Sequence, residues 1–183
     1  GFEDAAGGGA WTLIKTETAS SSSAITFIHG TSDVTFDSTY NMYCIIGQSI
    51  VTADDNKALL ITTTNDGSNY ESSYKLAEAR TFSSGTQNAG QSSQDVAYIG
   101  GLGEFGNASG ENGSIQIWIP SPSVAGTFHT VYGTAVCADD AANVRANYFA
   151  GQHQTAEAYT GIKFAMTSGN IASGTFSLFG IST

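Results

Sequence analysis

Short runs of alternating apolar and polar residues, separated by turn-forming residues, limit the fold of this chain more than any other feature of its sequence. In SIQIWI (114–119), Ile115, Ile117 and Ile119 share one face of an extended chain and Trp118 lies on the other. Runs of the same kind recur on both sides of it, with Gly, Ser, Asn or Asp between them. About ten strands can be drawn in this way, and no amphipathic helix of useful length is found. The pattern predicts an all-β protein, an antiparallel β-sandwich of the jelly-roll kind.

The segment TFSLFGI (175–181) makes the most specific prediction about packing. Phe176 and Leu178 lie on one face of the extended segment, and Phe179 and Ile181 lie on the other. Because both faces are apolar, we expect this strand to be inserted into the sandwich beside the N-terminal strand.

The length of 183 residues and the spread of the apolar runs predict a single domain. Residues 1–10 are rich in Gly and are expected to form a flexible arm. The domain then covers residues 11–183, with a loop-rich insert at about 65–113 that is polar and rich in Gly and Ser. Within the insert, YKLAEAR (74–80) is expected to form one or two helical turns and DVAYIG (95–100) a short strand.

The charge balance excludes several classes of partner. The chain carries 16 acidic and 6 basic residues, for a net charge of −10, and it has no cluster of Lys or Arg. Such a surface repels phosphates, so we predict no binding to nucleic acid. No apolar run is long enough to cross a bilayer, and no signal peptide is visible, so no membrane partner is predicted.

Cys44 and Cys137 both lie in apolar runs, MYCII and TAVCA. Two cysteines make neither a metal site nor a disulfide framework. We expect two small buried thiols rather than a disulfide.

His129 and His153 are the most suggestive titratable residues. If the hairpin around ADDAAN turns symmetrically about residue 141, the two histidines face each other across its strands. Paired imidazoles could bind a metal or titrate together, although a slip of one residue would place them on opposite faces. No third ligand is visible in the sequence. We therefore prefer the interpretation that both histidines have a structural role over a metal or pH-sensitive site.

Other chemical signatures are absent, and we predict no catalytic residues, no metal and no cofactor. GLGEFG (101–106) matches a dinucleotide-binding pattern, but NASGENGS after it cannot begin the helix that such a site needs. Adjacent acidic residues lie in turns, where they are poorly placed for the acid/base chemistry of a depolymerase. Aromatic residues of the insert, Tyr70, Tyr74 and Phe105, are candidates for a surface loop that binds host glycans.

Several stretches together resemble small virion structural proteins of tailed bacteriophages. They are GGGAWTLIKTETASSSSAITF (7–27), FDSTYNMYCIIGQSIVTADDNKALLITTTNDGSNYESSY (36–74) and GIKFAMTSGNIASGTFSLFGI (161–181). The closing Ser-Gly-Asn-Ile-x-x-Gly-x-Phe-x-Leu-x-Gly is the most specific of these cues, while residues 75–160 match only loosely.

The resemblance implies a jelly-roll domain on the virion surface that acts as a capsid decoration (cement) protein. A tail-fibre or spike module, or a lectin-like domain that binds host glycans, are the alternatives. By analogy with the family we expect a homotrimer that contacts the major capsid protein or tail proteins. Possible assembly contacts are Gly7, Gly8 and Gly9 of the arm and Trp11 at the start of the first strand.

Overall fold

The computed structural model describes residues 10–83, 87–96 and 99–182, and for 87–96 and 99–103 it describes the backbone alone. The arm residues Gly7, Gly8 and Gly9 lie outside this range. The described residues form twelve strands and no helix. The strands are β1 (Trp11–Ser22), β2 (Ile25–Ile28), β3 (Met42–Thr52), β4 (Lys57–Thr64), β5 (Tyr74–Phe82), β6 (Gln87–Val96), β7 (Ile99–Phe105), β8 (Gly113–Pro120), β9 (Thr130–Ala138), β10 (Val144–His153), β11 (Gly161–Met166) and β12 (Ile171–Ile181).

The strands form two antiparallel sheets. The larger has eight strands in the order β1-β12-β3-β8-β9-β10-β5-β6, and the smaller has four in the order β2-β11-β4-β7. When β5, β6, β9 and β10 are set aside, the remaining strands pair from the ends inward: β1 with β12, β2 with β11, β3 with β8 and β4 with β7. This nested pairing is that of a jelly roll, so the predicted fold class is confirmed. The four additional strands extend one edge of the larger sheet.

Apolar side chains from the two sheets meet in one core. Phe164 of β11 and Phe176 of β12 contact each other across the sandwich, with ring centroids 5.3 Å apart. Tyr74 of β5 reaches the smaller sheet with its hydroxyl, which accepts a hydrogen bond from the Thr63 backbone N–H at 2.9 Å. These contacts fix the side of the larger sheet that faces inward.

The prediction for TFSLFGI is confirmed. Strand β12 lies between β1 and β3 in the larger sheet. Phe176 and Leu178 are fully buried in the core. Phe179 and Ile181 lie half-buried on the opposite face, as the alternation requires.

The prediction of a loop-rich insert at 65–113 is wrong for most of that segment. It contains β5, β6 and β7, and YKLAEAR is a strand instead of helical turns. Tyr74 and Leu76 are buried whereas Lys75 and Ala77 are exposed, which is the period of a strand. Pairing with β10 on one side and β6 on the other satisfies the backbone of β5 and overrides the helix propensity of Lys, Leu, Ala, Glu and Arg.

Cys44 and Cys137 are free and buried, as predicted. Burial raises the pKa of both thiols to about 11, so they are protonated and unreactive at neutral pH.

Asp139 holds the turn between β9 and β10. Its carboxylate is buried and accepts hydrogen bonds from the backbone N–H groups of Ala141 and Asn143, at 2.9 and 2.8 Å, and from Arg145 Nε at 2.8 Å. Burial alone would raise the pKa of this carboxyl, but these donors outweigh it and lower the pKa to about 2.

This geometry predicts acid sensitivity of the β9–β10 hairpin. Because the pKa of Asp139 is lower in the folded protein than the value of about 3.9 in an unfolded chain, its stabilisation is complete above about pH 4. It is then lost as the pH falls toward 2. Asp139→Asn should lower the free energy of unfolding by about 1–3 kcal/mol at neutral pH and flatten its decline between about pH 4 and pH 2, as measured by urea denaturation. Asp140→Asn, at the exposed neighbouring position, is the control, and an unchanged pH profile for Asp139→Asn would refute this role.

Candidate functional site

The most unusual surface of the molecule is the side of the larger sheet that faces away from the smaller one, here called the outer face. Cross-strand registers align one residue from each of seven neighbouring strands into a row that is mostly apolar or aromatic. In order, the row contains Leu13, Phe179, Cys44, Trp118, Tyr132, Ala150 and Ala77.

Apolar side chains that solvent reaches are concentrated on this face. Six of the eight large apolar side chains that are exposed among the described residues lie there. They are Trp11, Leu13, Tyr132, Val136, Val144 and Tyr148. A contiguous exposed apolar surface on one side of a domain usually marks a site of interaction.

The first part of this surface is the tryptophan patch, formed by Trp11, Leu13, Trp118 and Phe179. The ring of Trp11 meets the rings of Trp118 and Phe179 edge-on, with centroids 5.4 and 5.7 Å apart. Trp11 nevertheless remains 41% exposed and Leu13 56% exposed. The edge-to-face packing fixes the Trp11 ring without covering it, which leaves a preorganised apolar surface at the β1 edge.

The second part is the tyrosine groove, lined by Trp118, Tyr132 and Tyr148 together with Gln116 and Thr134. It is an open groove of about 620 Å³ that crosses β8, β9, β10 and β5. Its floor consists of small residues on the middle strands, among them Ala77, Ala150 and Gly133. The two tyrosine rings stand above this floor, 39% and 58% exposed.

The charged residue beneath the groove is turned away from it. Glu78 contributes to the lining, but its side chain is buried on the inner face and 1% exposed. There the carboxylate accepts hydrogen bonds from Arg80 Nε at 2.7 Å, Arg80 Nη2 at 2.9 Å and Asn147 Nδ2 at 3.0 Å. The exposed lining of the groove is therefore aromatic and uncharged. Its polar groups are the Gln116 amide and the Thr134 hydroxyl.

The histidine pair has the predicted register. Strand β9 pairs with β10 so that Thr130 lies opposite Gln152, and the His153 backbone N–H donates to the His129 carbonyl oxygen at 3.2 Å. Both imidazoles are buried and both contact the ring of Tyr159, at 4.9 and 6.0 Å between centroids.

The two imidazoles nevertheless have separate polar partners. His129 Nε2 lies 2.6 Å from the Val124 carbonyl oxygen, and His153 Nε2 lies 3.1 Å from a carboxylate oxygen of Glu71. Within residues 10–83 and 104–182, no group of three or more His, Cys, Asp or Glu side chains is placed to hold a metal ion.

The predicted glycan-binding loop is wrong for two of its three residues. Tyr74 and Phe105 are strand residues with no exposed surface, and they pack in the core. Tyr70 does lie outside the strands, but the Lys163 ammonium covers its ring at 3.8 Å from the centroid.

Sequence reasoning missed the aromatic residues that are exposed. Tyr132 and Tyr148 lie in FHTVYGTAVC (128–137) and VRANYFAGQH (144–153), the two runs beside ADDAAN, where an aromatic residue is ordinarily explained by core packing. The available signal was alternation within the hairpin, since Val131 and Phe149 are buried and their neighbours must point to the opposite face.

Comparison with protein-family models, with curated proteins and with solved structures finds no match. In the part of the chain that the structure describes, no helix is long and apolar enough to cross a membrane.

Proposed function

We propose that this chain is a non-enzymatic structural protein of a bacteriophage virion, a capsid decoration protein on the particle surface that assembles through the tryptophan patch. The exposed Trp11 and Leu13, held on a cluster of edge-to-face aromatic rings at the β1 edge, are the observation that carries this proposal. A surface of this kind is costly to leave in water and is stabilised when a partner covers it.

The sequence stretches that resemble virion proteins support the proposal through their position in the fold. They supply β1, β12 and β3 in the larger sheet and β2, β11 and β4 in the smaller one, three adjacent strands in each case. The resemblance therefore covers one contiguous half of the sandwich instead of scattered segments. Most of the tryptophan patch lies in this half, since Trp11, Leu13 and Phe179 belong to β1 and β12.

The patch also suits contacts between copies. Trp11 directly follows the Gly-rich arm in the sequence, so an arm that extends over a neighbouring subunit would begin at the patch. Many copies on one particle add their weak contacts into a strong attachment. A homotrimer, placed on the major capsid protein, is the assembly we propose, with closed symmetry as the general reason to expect an oligomer.

The proposal predicts that the double variant Trp11→Ala/Leu13→Ser assembles less well. Exposed aromatic anchors often dominate the binding energy of an interface, so we expect the dissociation constant of the oligomer to rise about tenfold or more. Analytical ultracentrifugation over a range of protein concentrations measures this change, and binding to purified capsids that lack the protein measures attachment to the particle.

Val124→Ser is the matched control, because Val124 is equally exposed but lies in the loop between β8 and β9. Antibody labelling of purified virions then separates capsid from tail placement. A wild-type chain that is monomeric at all concentrations, and absent from virions, would rule out the proposed function.

A further inference from the structure

We propose that the tyrosine groove is a binding site for an uncharged saccharide. This site is separate from the assembly role of the tryptophan patch, and the two share only Trp118. The inference follows from the shape of the groove, the chemistry of its lining and the charge around it.

The shape is that of a ligand site on a sheet surface. The groove is shallow and open, and its volume of about 620 Å³ leaves room for a sugar ring that lies on the sheet. Tyr148 lies opposite Thr134 in the register of β9 and β10, so Tyr132 is its diagonal neighbour on the adjacent strand. Diagonal neighbours on a sheet are about 7–8 Å apart, which leaves room for a flat ring between or across the two side chains. The alanine and glycine floor keeps this space open.

The lining matches a molecule that has both apolar and hydroxyl surfaces. The aromatic rings of Tyr132, Tyr148 and Trp118 offer flat apolar faces, on which the C–H face of a sugar ring can stack. The Gln116 amide and the Thr134 hydroxyl can donate and accept hydrogen bonds, as the rim hydroxyls of a sugar require. A purely hydrocarbon ligand would cover the Thr134 hydroxyl without offering it a hydrogen bond.

Charge selects a neutral ligand. Among the described residues that line the groove, Glu78 alone carries a charge, and its carboxylate is bound on the inner face by Arg80 and Asn147. Nothing in the lining would neutralise a phosphate, sulfate or carboxylate, and the net charge of −10 opposes the approach of an anion. The lining offers a cation no exposed carboxylate to pair with. An uncharged saccharide needs no counter-charge and can stack on the aromatic rings.

The experiment uses the full-length protein and neutral oligosaccharides of glucose, galactose, mannose, xylose and N-acetylglucosamine as probes, with sialylated and sulfated oligosaccharides for comparison. Isothermal titration calorimetry and tryptophan fluorescence, to which Trp11 and Trp118 both contribute, would follow binding. We expect at least one neutral oligosaccharide to bind with a dissociation constant of about 1 mM or lower. Tyr132→Ala and Tyr148→Ala should each weaken this binding about tenfold or more.

Two further variants separate stacking from general disturbance. Tyr148→Phe keeps the ring and should bind within about threefold of the wild type, since stacking supplies most of the affinity. Val144→Ala changes an exposed residue of the same strand and face outside the groove lining, and should leave binding unchanged.

Three results would overturn the inference. They are failure of every neutral oligosaccharide to bind, a preference for the acidic ones, and binding that survives both Tyr→Ala variants. If Tyr148→Ala instead abolished self-association, the groove would be an interface between copies. The Trp11→Ala/Leu13→Ser variant tests the assembly role alone, and it should still bind the saccharide.

Discussion

Phe176→Ala is expected to lower the free energy of unfolding by about 3–5 kcal/mol. Phe176 has no exposed surface, and its ring contacts Phe164 of the opposite sheet at 5.3 Å between centroids. Its strand is hydrogen-bonded on both sides, to β1 and β3, so the backbone cannot collapse into the space that the ring leaves. The cost therefore includes both the lost burial of the ring and the cavity that remains.

Phe128→Ala is the matched control for this prediction. It makes the same chemical change at a residue that is exposed and lies outside the strands, and we expect a change within about 0.5 kcal/mol. Equilibrium denaturation in urea, followed by tryptophan fluorescence and by circular dichroism, gives both values. A cost below about 1 kcal/mol for Phe176→Ala would contradict the central position that the structure gives to β12.

Two parts of the fold could be predicted from the sequence because their residues alternate on both faces. In TFSLFGI each face carries large apolar residues, which is typical of a strand in the interior of a sheet rather than at its edge. The β9–β10 hairpin could be predicted because ADDAAN is a polar turn between two regular runs, and the structure has the symmetrical register of the two that the sequence left open. In both cases the local pattern and the tertiary pairing agree.

The segment 65–113 could not be predicted in the same way. Strand β6 has the sequence QNAGQSSQDV, which carries almost no apolar alternation. It is a strand because its backbone pairs with β5 at the edge of the larger sheet. The unpaired backbone groups of a sheet edge can bind a further strand without requiring a particular side-chain pattern in it. Such pairing depends on a partner that is distant or weakly patterned in sequence, so local propensity does not reveal it.

Only part of the candidate site could be predicted from the sequence. Trp11 was singled out from the sequence, and the structure places it in the tryptophan patch with Trp118 and Phe179. The tyrosine groove was missed because the β9–β10 hairpin brings Tyr132 and Tyr148 together, but the groove also needs Trp118 of β8 and Ala77 of β5, which pair with the hairpin from distant parts of the sequence. In the sequence, each tyrosine looks like any aromatic residue of a strand. Whether its side chain is exposed depends on how the strands assemble into the sheet.

The buried ion pair behind the groove gives the second large effect. Arg80→Met is expected to lower the free energy of unfolding by about 3–5 kcal/mol, because it leaves the Glu78 carboxylate buried without its cation. The bidentate contact at 2.7 and 2.9 Å is of the strong kind, and the Glu78 side chain is only 1% exposed, so water cannot replace the guanidinium. Chemical denaturation at neutral pH measures this cost.

The double variant Glu78→Gln/Arg80→Met distinguishes a charge effect from lost packing. Glutamine keeps an acceptor for Asn147 Nδ2 but removes the charge, so the double variant should be more stable than Arg80→Met alone by about 1–3 kcal/mol. If both variants are equally unstable, the arginine acts through its packed side chain, and the ion pair is not what stabilises this part of the sheet. Because Glu78 lies under the tyrosine groove, recovery of stability in the double variant should also restore any ligand binding that Arg80→Met has lost.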